Sequence, residues 1–217
     1  MFANLFGTLA FLGTLLGLIA AGIGLIFSLA RLRFKTAGWI GLGVLAWLGI
    51  YAAILLAVSF SSAQRVLGKG QEHCFDEMCF SMTAVSTAKT LGSGEGQVTA
   101  SGIYYIVTVQ LRNDAKQVAQ KPSDPQIWIQ DPQGRTYTTI LGTGTPGLAA
   151  GQAVDSGQLW GQRLQAGESQ TRVLAFDLPQ GIAQPVLVIT EGGGPTSLII
   201  GDENSPFHAK TVFQLVQ

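Results

Sequence analysis

The N-terminal part of the chain has two long apolar windows in which no side chain is ionisable. The first runs from Phe2 to Ala30 and the second from Thr36 to Gln64. Each exceeds the roughly 20 apolar residues that a helix needs to cross about 30 Å of hydrocarbon. The pattern therefore predicts two transmembrane helices, at about 5–30 and 37–60, joined by a short loop at 31–36.

A cleaved signal peptide is the competing interpretation of the first window. Such a peptide begins with a basic region, whereas the only charge ahead of this window is the α-amine. We therefore expect the first helix to remain as a membrane span. Because neither span contains an ionisable residue, the helices offer no proton relay or ion path.

The charges beside the two windows predict their orientation. Arg31, Arg33 and Lys35 lie in the loop, while the N-terminal tail has no Lys or Arg. The positive-inside rule makes this loop cytoplasmic, so both termini and the C-terminal part lie on the extracytoplasmic, periplasmic side. Arg65 and Lys69 oppose this orientation, but they are two basic residues against three.

Small residues recur at four-residue spacing along both windows, which lets helix backbones approach closely in a membrane. Two interpretations are open: the helices pack on each other as a hairpin, or one stripe faces a larger membrane complex. The residues of these stripes are Gly13, Gly17, Ala21, Gly49, Ala53 and Ala57.

After Phe60 the apolar residues alternate with polar ones, a period of two that is typical of strands. Residues 61–73 are predicted as a linker and residues 74–217 as an all-β domain. The clearest strand is Ile103–Leu111, with Val107 on its more apolar face. Further strands are predicted at Phe80–Val85, Gln126–Gln130, Arg135–Ile140, Thr171–Leu178, Val186–Thr190, Ser197–Ile200 and Thr211–Val216. Short strands separated by Gly and Pro favour an antiparallel, immunoglobulin-like β-sandwich over a barrel.

Three strand-and-turn segments carry a family resemblance. They are Tyr105–Asn113, the hairpin Asp131–Tyr137, and Leu164–Ser169 leading into Leu174–Pro179. In this pattern the domain resembles the telokin-like, immunoglobulin-like extracytoplasmic domains of bacterial membrane-anchored proteins, over roughly Cys79 to Gln217. The resemblance implies a fold and an extracytoplasmic setting, and it brings no catalytic residues with it.

The segment His73–Cys79 contains both cysteines of the chain and one of its two histidines. In an oxidising compartment, Cys74 and Cys79 are predicted to form a local disulfide. A copper site is the metal-binding alternative, because thiolate, thioether and imidazole ligands suit that metal. Its candidate ligands would be His73, Cys74, Met78, Cys79 and Met82. Free, reactive thiols are a third interpretation.

Two other motifs are weaker signals of chemistry. Gly142–Gly147 matches a dinucleotide fingerprint, but no helix pattern follows it, so we expect a flexible loop and no nucleotide. Asp202, Glu203 and Asn204 are consecutive rather than alternate, which favours a turn over a calcium site. Ser205 and His208 lack a nucleophile elbow. We therefore predict no catalytic residue and no cofactor.

The composition limits the functional classes further. The chain is 47% hydrophobic and 12% charged, with a net charge of zero and no basic block, which disfavours a nucleic-acid partner. Trp128 and Trp160 are candidate interface residues, because tryptophan is a preferred anchor of protein interfaces.

These features predict a non-enzymatic, membrane-anchored interaction or structural domain. Its partners would be the lipid bilayer and other membrane proteins, in a larger complex of, for example, the respiratory or photosynthetic kind. The alternative is a ligand- or metal-binding receptor domain at the cell envelope. In that case the site would be the glycine-rich loop from Leu141 to Gly161 or the cysteine segment.

Overall fold

A computed structural model describes residues 2–92, 97–141, 160–192 and 195–215. The protein divides into two compact units. The first combines residues 1–63 with 193–209, and the second combines residues 64–192 with 210–217. The backbone therefore passes between the units three times, and each unit is described separately below.

The first unit contains two apolar helices, α1 (Phe2–Ala30) and α2 (Phe34–Phe60). Both are long and apolar enough to cross a membrane. A turn joins them, with Leu32 in a left-handed conformation (φ 55°) and the Arg33 amide donating to the Ser28 carbonyl. The loop is shorter than the predicted 31–36, because α2 already begins at Phe34.

The contact between α1 and α2 follows steps of three and four residues in alternation. This 3.5-residue period is that of left-handed helix pairs. On α1 the buried and half-buried positions of the seam include Phe11, Thr14, Leu18, Ala21, Leu25 and Ser28. On α2, Ala37, Leu55 and Ser59 are buried. Trp47 donates from its indole Nε1 to the Thr14 hydroxyl across the seam, at 3.3 Å.

A short segment from the far end of the sequence completes the first unit. Pro195–Leu198 forms a 3-10 helix and is followed by turns up to Ala209. The prediction of a strand at Ser197–Ile200 is therefore wrong. The Ile199 amide donates to the Thr196 carbonyl three residues back, so alternation in so short a stretch reflects helical turns rather than a sheet ladder.

The second unit is a β-sandwich of two five-stranded sheets. One sheet has the order β1-β10-β9-β5-β6 and the other β2-β3-β4-β8-β7, and every pair is antiparallel except β1 with β10. The strands are β1 (Val66–Leu67), β2 (Glu72–Phe75), β3 (Met78–Leu91), β4 (Val98–Asn113), β5 (Gln126–Gln130), β6 (Thr136–Thr138), β7 (Ile140–Leu141), β8 (Ser169–Leu178), β9 (Val186–Thr190) and β10 (Val212–Gln214).

The core of the sandwich lies between the two sheets. On β4, Val107, Val109 and Leu111 are fully buried, which is the face that the alternation predicted. They meet aromatic side chains from other strands, including Phe80 and Phe176. The central position of β4, between β3 and β8, explains why its pattern is the clearest in the sequence.

The predicted linker 61–73 is only partly a linker. Leu67 is buried in the core and pairs with Phe213 through the parallel contact of β1 with β10, while His73 lies in β2. A two-residue strand has no alternation to detect, so only its distant partner reveals it. The predicted strand Arg135–Ile140 is also divided, because β6 joins one sheet and β7 the other.

A large bulge bends the far end of the β3–β4 hairpin. Between the pairs Ala88↔Tyr104 and Thr90↔Thr99, β4 advances five residues while β3 advances two. Asp177 accepts hydrogen bonds from the Ser101 and Gly102 amides, at 2.7 and 3.0 Å. A side chain on Gly102 would collide with the Leu178 carbonyl, so this position requires glycine. The bend buries Tyr104 on the outer face of the sheet.

We expect Val107→Asp to unfold the β-sandwich, because it puts an unpaired carboxylate into a dry core. The free energy of unfolding should fall by at least about 3 kcal/mol. Ser86→Asp is the control, since Ser86 is exposed on the neighbouring β3. Thermal unfolding of the full-length protein in detergent measures both variants. Equal melting temperatures would show that the register of β4 is wrong.

Candidate functional site

The small residues of the helices do not form the contact between α1 and α2. A Cβ added to Gly13, Gly17 or Gly49 would have nothing within 4 Å, and Ala53 and Ala57 are exposed. A four-residue stripe drifts away from a 3.5-residue seam, so among these residues only Ala21 lies on it. The helices do pack on each other as a hairpin, but most of the stripe residues lie outside that contact.

Instead, the stripes lie on open surface of the helical unit. Gly13 and Gly17 line a cleft of about 380 Å³ together with Gly43 and Trp47. On α2, Gly49, Ala53 and Ala57 face outward over most of the helix's second half. Nothing in the described part of the protein covers this surface. The second interpretation, a partner inside the membrane, stays a prediction.

The cysteine segment forms a tight hairpin at the edge of a sheet. Cys74 and Cys79 are opposite residues of β2 and β3, and the structure joins them in a disulfide. The two-residue turn between the strands contains Asp76 with a φ of 51°, a left-handed conformation that aspartate tolerates better than most residues. The bond therefore closes a hairpin that hydrogen bonding already aligns.

The candidate copper ligands do not converge in this structure. Both sulfurs are used in the disulfide, and Met78 and Met82 are buried in the core between the sheets. His73 is also buried, with its ring edge-on to Phe75 at 4.4 Å. The Glu72 carboxylate lies within 4.8 Å of both sulfurs, but Arg112 holds it. A copper site would need the disulfide open and the methionines out of the core.

Arg112 ties the cysteine hairpin to the next strand. Its guanidinium donates to both oxygens of Glu72, at 3.0 and 2.8 Å, and to Asp114 at 2.5 Å. The hydrogen bond from Arg112 lowers the pKa of Glu72, with partial burial opposing it. The pKa of Arg112 is raised by the same two carboxylates. Because these ion pairs are partly exposed to solvent, they contribute little to stability. Their main effect is to hold the cysteine hairpin against β4.

Asn113 organises the loop that follows β4. It is fully buried, and its side-chain amide donates to the carbonyls of Val118 and Leu164, both at 2.9 Å. Its side-chain oxygen accepts from the Ala115 amide at 3.0 Å. The structure shows a buried polar link between two loops at one end of the sandwich.

Glu191 is the most perturbed carboxyl of the described residues outside the helices. Burial raises its pKa to about 7, the Ser123 amide opposes that by donating at 3.2 Å, and the charge of Asp76 adds to it. At a pH between 4.5 and about 7, the Glu191 carboxyl is mostly neutral in the folded protein, whereas an exposed carboxyl would be mostly ionised. Among the described residues, the one cluster of His, Cys, Asp or Glu that could hold a metal ion does not include Glu191.

The two candidate interface tryptophans differ in position. Trp160 is fully buried, with its ring edge-on to Phe80 at 5.7 Å, and therefore cannot anchor a partner. Its Nε1 has no hydrogen-bond partner among the residues that the structure describes. Trp128, on β5, is half-buried and remains available for contact. The prediction of an exposed Trp160 was wrong because tertiary packing draws this loop residue into the core.

A polar cleft of about 530 Å³ lies at the β1–β10 side of the sandwich. It is lined by Gln64, Gln130, Gln184 and Gln214. Asp131 is also at its wall, where its carboxylate accepts from the Arg135 Nε at 2.6 Å and from the Tyr137 hydroxyl at 3.2 Å. Burial favours the neutral carboxyl, but the hydrogen bonds from Arg135 and Tyr137 outweigh it and lower the pKa of Asp131.

The remaining candidate residues belong to two segments. Gly142–Gly147 and most of the glycine-rich loop fall outside the described residues. Ser205 is buried and donates its hydroxyl to the Ile199 carbonyl at 2.6 Å, while His208 contacts the Ala209 carbonyl. The Asn204 amide donates to Asp202. These contacts belong to a turn, as the sequence indicated.

The fold defines a protein with a β-sandwich unit and a unit that contains two apolar helices. The sequence comparison adds the family: the profile of a domain of unknown function, DUF4352, matches residues 67–194. The protein belongs to the DUF4352 family. No curated protein matches the sequence significantly.

Three solved structures are similar to this protein at low sequence identity. An uncharacterised β-sandwich protein from Clostridium difficile 630 is 14% identical, with a TM-score of 0.42, over 72% of the present sequence and 97% of its own. The yjhA protein from Bacillus subtilis is 14% identical (TM-score 0.42, 69% and 98% covered). The secreted protein MPT63 from Mycobacterium tuberculosis is 12% identical (TM-score 0.43, 71% and 99% covered).

Thiol labelling under denaturing, non-reducing conditions tests the pairing of Cys74 with Cys79. We expect no labelling before reduction and two labels after it. Replacing both residues with serine should lower the stability of the sandwich by up to about 2 kcal/mol, because so short a loop restrains the unfolded state less than a longer one. Full labelling without reductant would contradict the disulfide and reopen the thiol interpretations.

We expect Glu191→Gln to remove a pH dependence of stability. The folded pKa of about 7 lies above the ordinary value of 4.5. The folded protein therefore loses stability as the pH rises from 4.5 to about 7, because the Glu191 carboxyl ionises in the unfolded state at a lower pH than in the folded state. The variant should melt higher than the parent at about pH 8 and about equally at pH 4.5.

Glu168→Gln is the matched control for this experiment. Glu168 also accepts a backbone amide, that of Gln165 at 2.7 Å, but it is exposed. Its substitution should leave the pH profile of the melting temperature unchanged. If both variants behave alike, the burial of Glu191 does not govern its ionisation.

Proposed function

We propose that this protein is a membrane-anchored, extracytoplasmic interaction domain without enzymatic activity, and that it serves as an accessory subunit of a larger membrane complex. The observation that carries the proposal is the outer surface of α1 and α2. Leu16, Ile26, Trp39 and Leu45 are each more than half exposed there. Only hydrocarbon or another apolar helix covers such surface at low cost.

Two features support an extracytoplasmic position for the β-sandwich. The turn between the helices carries Arg31, Arg33 and Lys35, and basic residues favour the cytoplasmic side. The disulfide in the second unit is the other feature, since such bonds persist in oxidising compartments. Charge and redox chemistry are independent, and both favour the same side.

We also propose that the sandwich is immunoglobulin-like. One sheet contains the consecutive neighbours β4, β8 and β7, and the other contains β10, β9, β5 and β6. This arrangement corresponds to strands B, E and D facing G, F, C and C′ of an immunoglobulin domain. β3 then takes the place of strand A, and β2 is an added edge strand.

The exposed small residues of α2 support a partner within the membrane. Gly49, Ala53 and Ala57 lie on open surface, where a second helix could approach closely without displacing large side chains. Apart from Lys35 in the first turn of α2, neither helix contains Asp, Glu, His, Lys or Arg, which favours packing over transport. The partner we propose is therefore another transmembrane helix with a complementary apolar surface.

A receptor for a small polar ligand is the second candidate function. The glutamine-lined cleft beside β1 and β10 favours it, since side-chain amides both donate and accept hydrogen bonds. A panel of small polar molecules tests this function by thermal shift. A shift that Gln130→Leu abolishes would support the receptor function over the subunit function.

Isolation in a mild detergent tests the accessory-subunit function. Proteins that remain bound to the native protein should be lost from Ala53→Leu, because the larger side chain blocks close helix approach. Ala52→Leu is the matched control, as Ala52 is also exposed but points to a different face of α2. A protein that purifies as a monomer in all three forms would contradict the proposal.

Reporter fusions test the orientation. A reporter that is active only outside the cytoplasm should be active after Gln217 and inactive between Arg31 and Lys35. Neutral residues at all three basic positions of the turn should make the orientation mixed, since only Arg65 and Lys69 then remain near the helices. The reverse pattern of reporter activity would place the sandwich in the cytoplasm.

A further inference from the structure

The segment 195–209, here called the clasp, is seated on the ends of both helices. The Tyr51 hydroxyl donates to the Leu198 carbonyl at 2.6 Å. The Ile200 carbonyl lies so close to α1 that a side chain on Gly7 would collide with it. Farther along, the Phe207 ring stacks on Phe60 with centroids 5.1 Å apart. The clasp therefore follows the helical hairpin rather than extending into solvent.

The clasp satisfies much of its backbone internally. The amides of Ile199, Asp202, Ser205 and His208 each donate to a carbonyl three residues earlier. The Ser205 hydroxyl donates a hydrogen bond to the Ile199 carbonyl, and the Ser62 hydroxyl accepts one from the Ala209 amide. A segment with its polar backbone paired in this way can approach a membrane at much lower cost than an open loop.

The helices are longer than the hydrocarbon layer, and this sets the depth of the clasp. Counting about 20 residues from the basic turn reaches Leu55 on α2 and Phe11 on α1. At about 1.5 Å per residue, Tyr51 lies roughly 6 Å inside that boundary and Gly7 roughly 6 Å outside it. The clasp contacts both residues, one on each side of the boundary, and therefore lies at the boundary.

Two large apolar side chains of the clasp are exposed, as expected at that depth. Leu198 is 51% exposed and Phe207 is 69% exposed, and Phe60 beside it is 68% exposed. Asp202 and Glu203 are half-buried within the same segment. Charged side chains are costly at the centre of the hydrocarbon layer, whereas headgroups and water tolerate them. The clasp therefore cannot lie at the centre of the bilayer. The mixture suits the membrane interface.

We propose that the clasp is a lipid-binding element, in which Leu198 and Phe207 insert into the interface of the extracytoplasmic leaflet. The lipid ligand is recognised by its acyl chains near the glycerol backbone. The proposal rests on the anchoring role of α1 and α2 given above. It adds that a segment which follows most of the sandwich in the sequence is itself embedded in lipid.

Nitroxide labels on single cysteines test the depth of the clasp. Leu198→Cys and Phe207→Cys are labelled and placed in vesicles of phosphatidylcholine with a minority of phosphatidylglycerol. Collisions with oxygen, which dissolves in lipid, are compared with collisions with a water-soluble nickel chelate. Leu45→Cys on α2 and Val118→Cys on the sandwich are the controls, as both side chains are apolar and exposed. The unsubstituted protein measures background labelling.

We expect the nickel collision rate at both clasp labels to be severalfold lower than at Val118→Cys, with Leu45→Cys lower still. If the clasp labels match Val118→Cys while Leu45→Cys is protected, the clasp proposal fails and the anchor stands. If Leu45→Cys is also open to nickel, the anchoring role fails and the clasp proposal with it.

A glycine pair tests whether seating on α1 holds the clasp in lipid. Gly7→Ala should raise the nickel collision rate at the Leu198→Cys label, because the new methyl group pushes the Ile200 carbonyl away from the helix. Gly13→Ala should not, since open space surrounds that position. An unchanged rate in Gly7→Ala would contradict the seating of the clasp and count against the proposal.

Discussion

The cost of exposing apolar helix surface to water is the constraint on which the other features of this protein depend. Two helices of 29 and 27 residues contain no Asp, Glu, His, Lys or Arg except Lys35 in the first turn of α2. Their mutual seam buries few residues on either helix. Apolar area left in water costs about 25 cal/mol per Å². The uncovered leucine, isoleucine and tryptophan side chains therefore require a hydrocarbon environment or apolar partners.

The seam itself explains how the hairpin leaves surface for other contacts. A 3.5-residue period brings Thr14, Leu18 and Ala21 into the interface, while the glycines spaced by four residues turn away from it. Trp47 and Tyr51 have polar atoms deep in an apolar helix, and each finds a partner: Thr14 across the seam and the Leu198 carbonyl in the clasp. A polar atom held away from water is costly unless it is paired in this way.

In the sandwich, buried polar residues connect elements that the hydrophobic core alone would leave loose. Asn113 links two loops, Asp131 holds the turn after β5, and Asp177 holds the bulge of β4. Each of these is satisfied by several donors or acceptors, so its burial is not penalised.

The sequence by itself determined the features that depend on local pattern. The two charge-free windows predicted the helices, the alternation at Ile103–Leu111 predicted the buried face of β4, and Gln126–Gln130 and Val186–Thr190 match β5 and β9 without change. The turn at Asp131–Gly134 was equally clear, because proline and glycine restrict or extend backbone freedom in fixed ways.

Tertiary structure alone decided the features that depend on distant partners. The two-residue strand β1 forms through its pairing with β10. Trp160 is buried because it packs in the core of the sandwich. Residues 195–209 belong to the unit of the helices rather than to a sheet. The seam between the helices, rather than the four-residue stripes, shows which side chains meet: Trp47 bonds Thr14 across it, while a Cβ on Gly13 or Gly17 would meet open space. Periodicity reports which face of a segment is apolar, but what covers that face is set by residues far along the sequence.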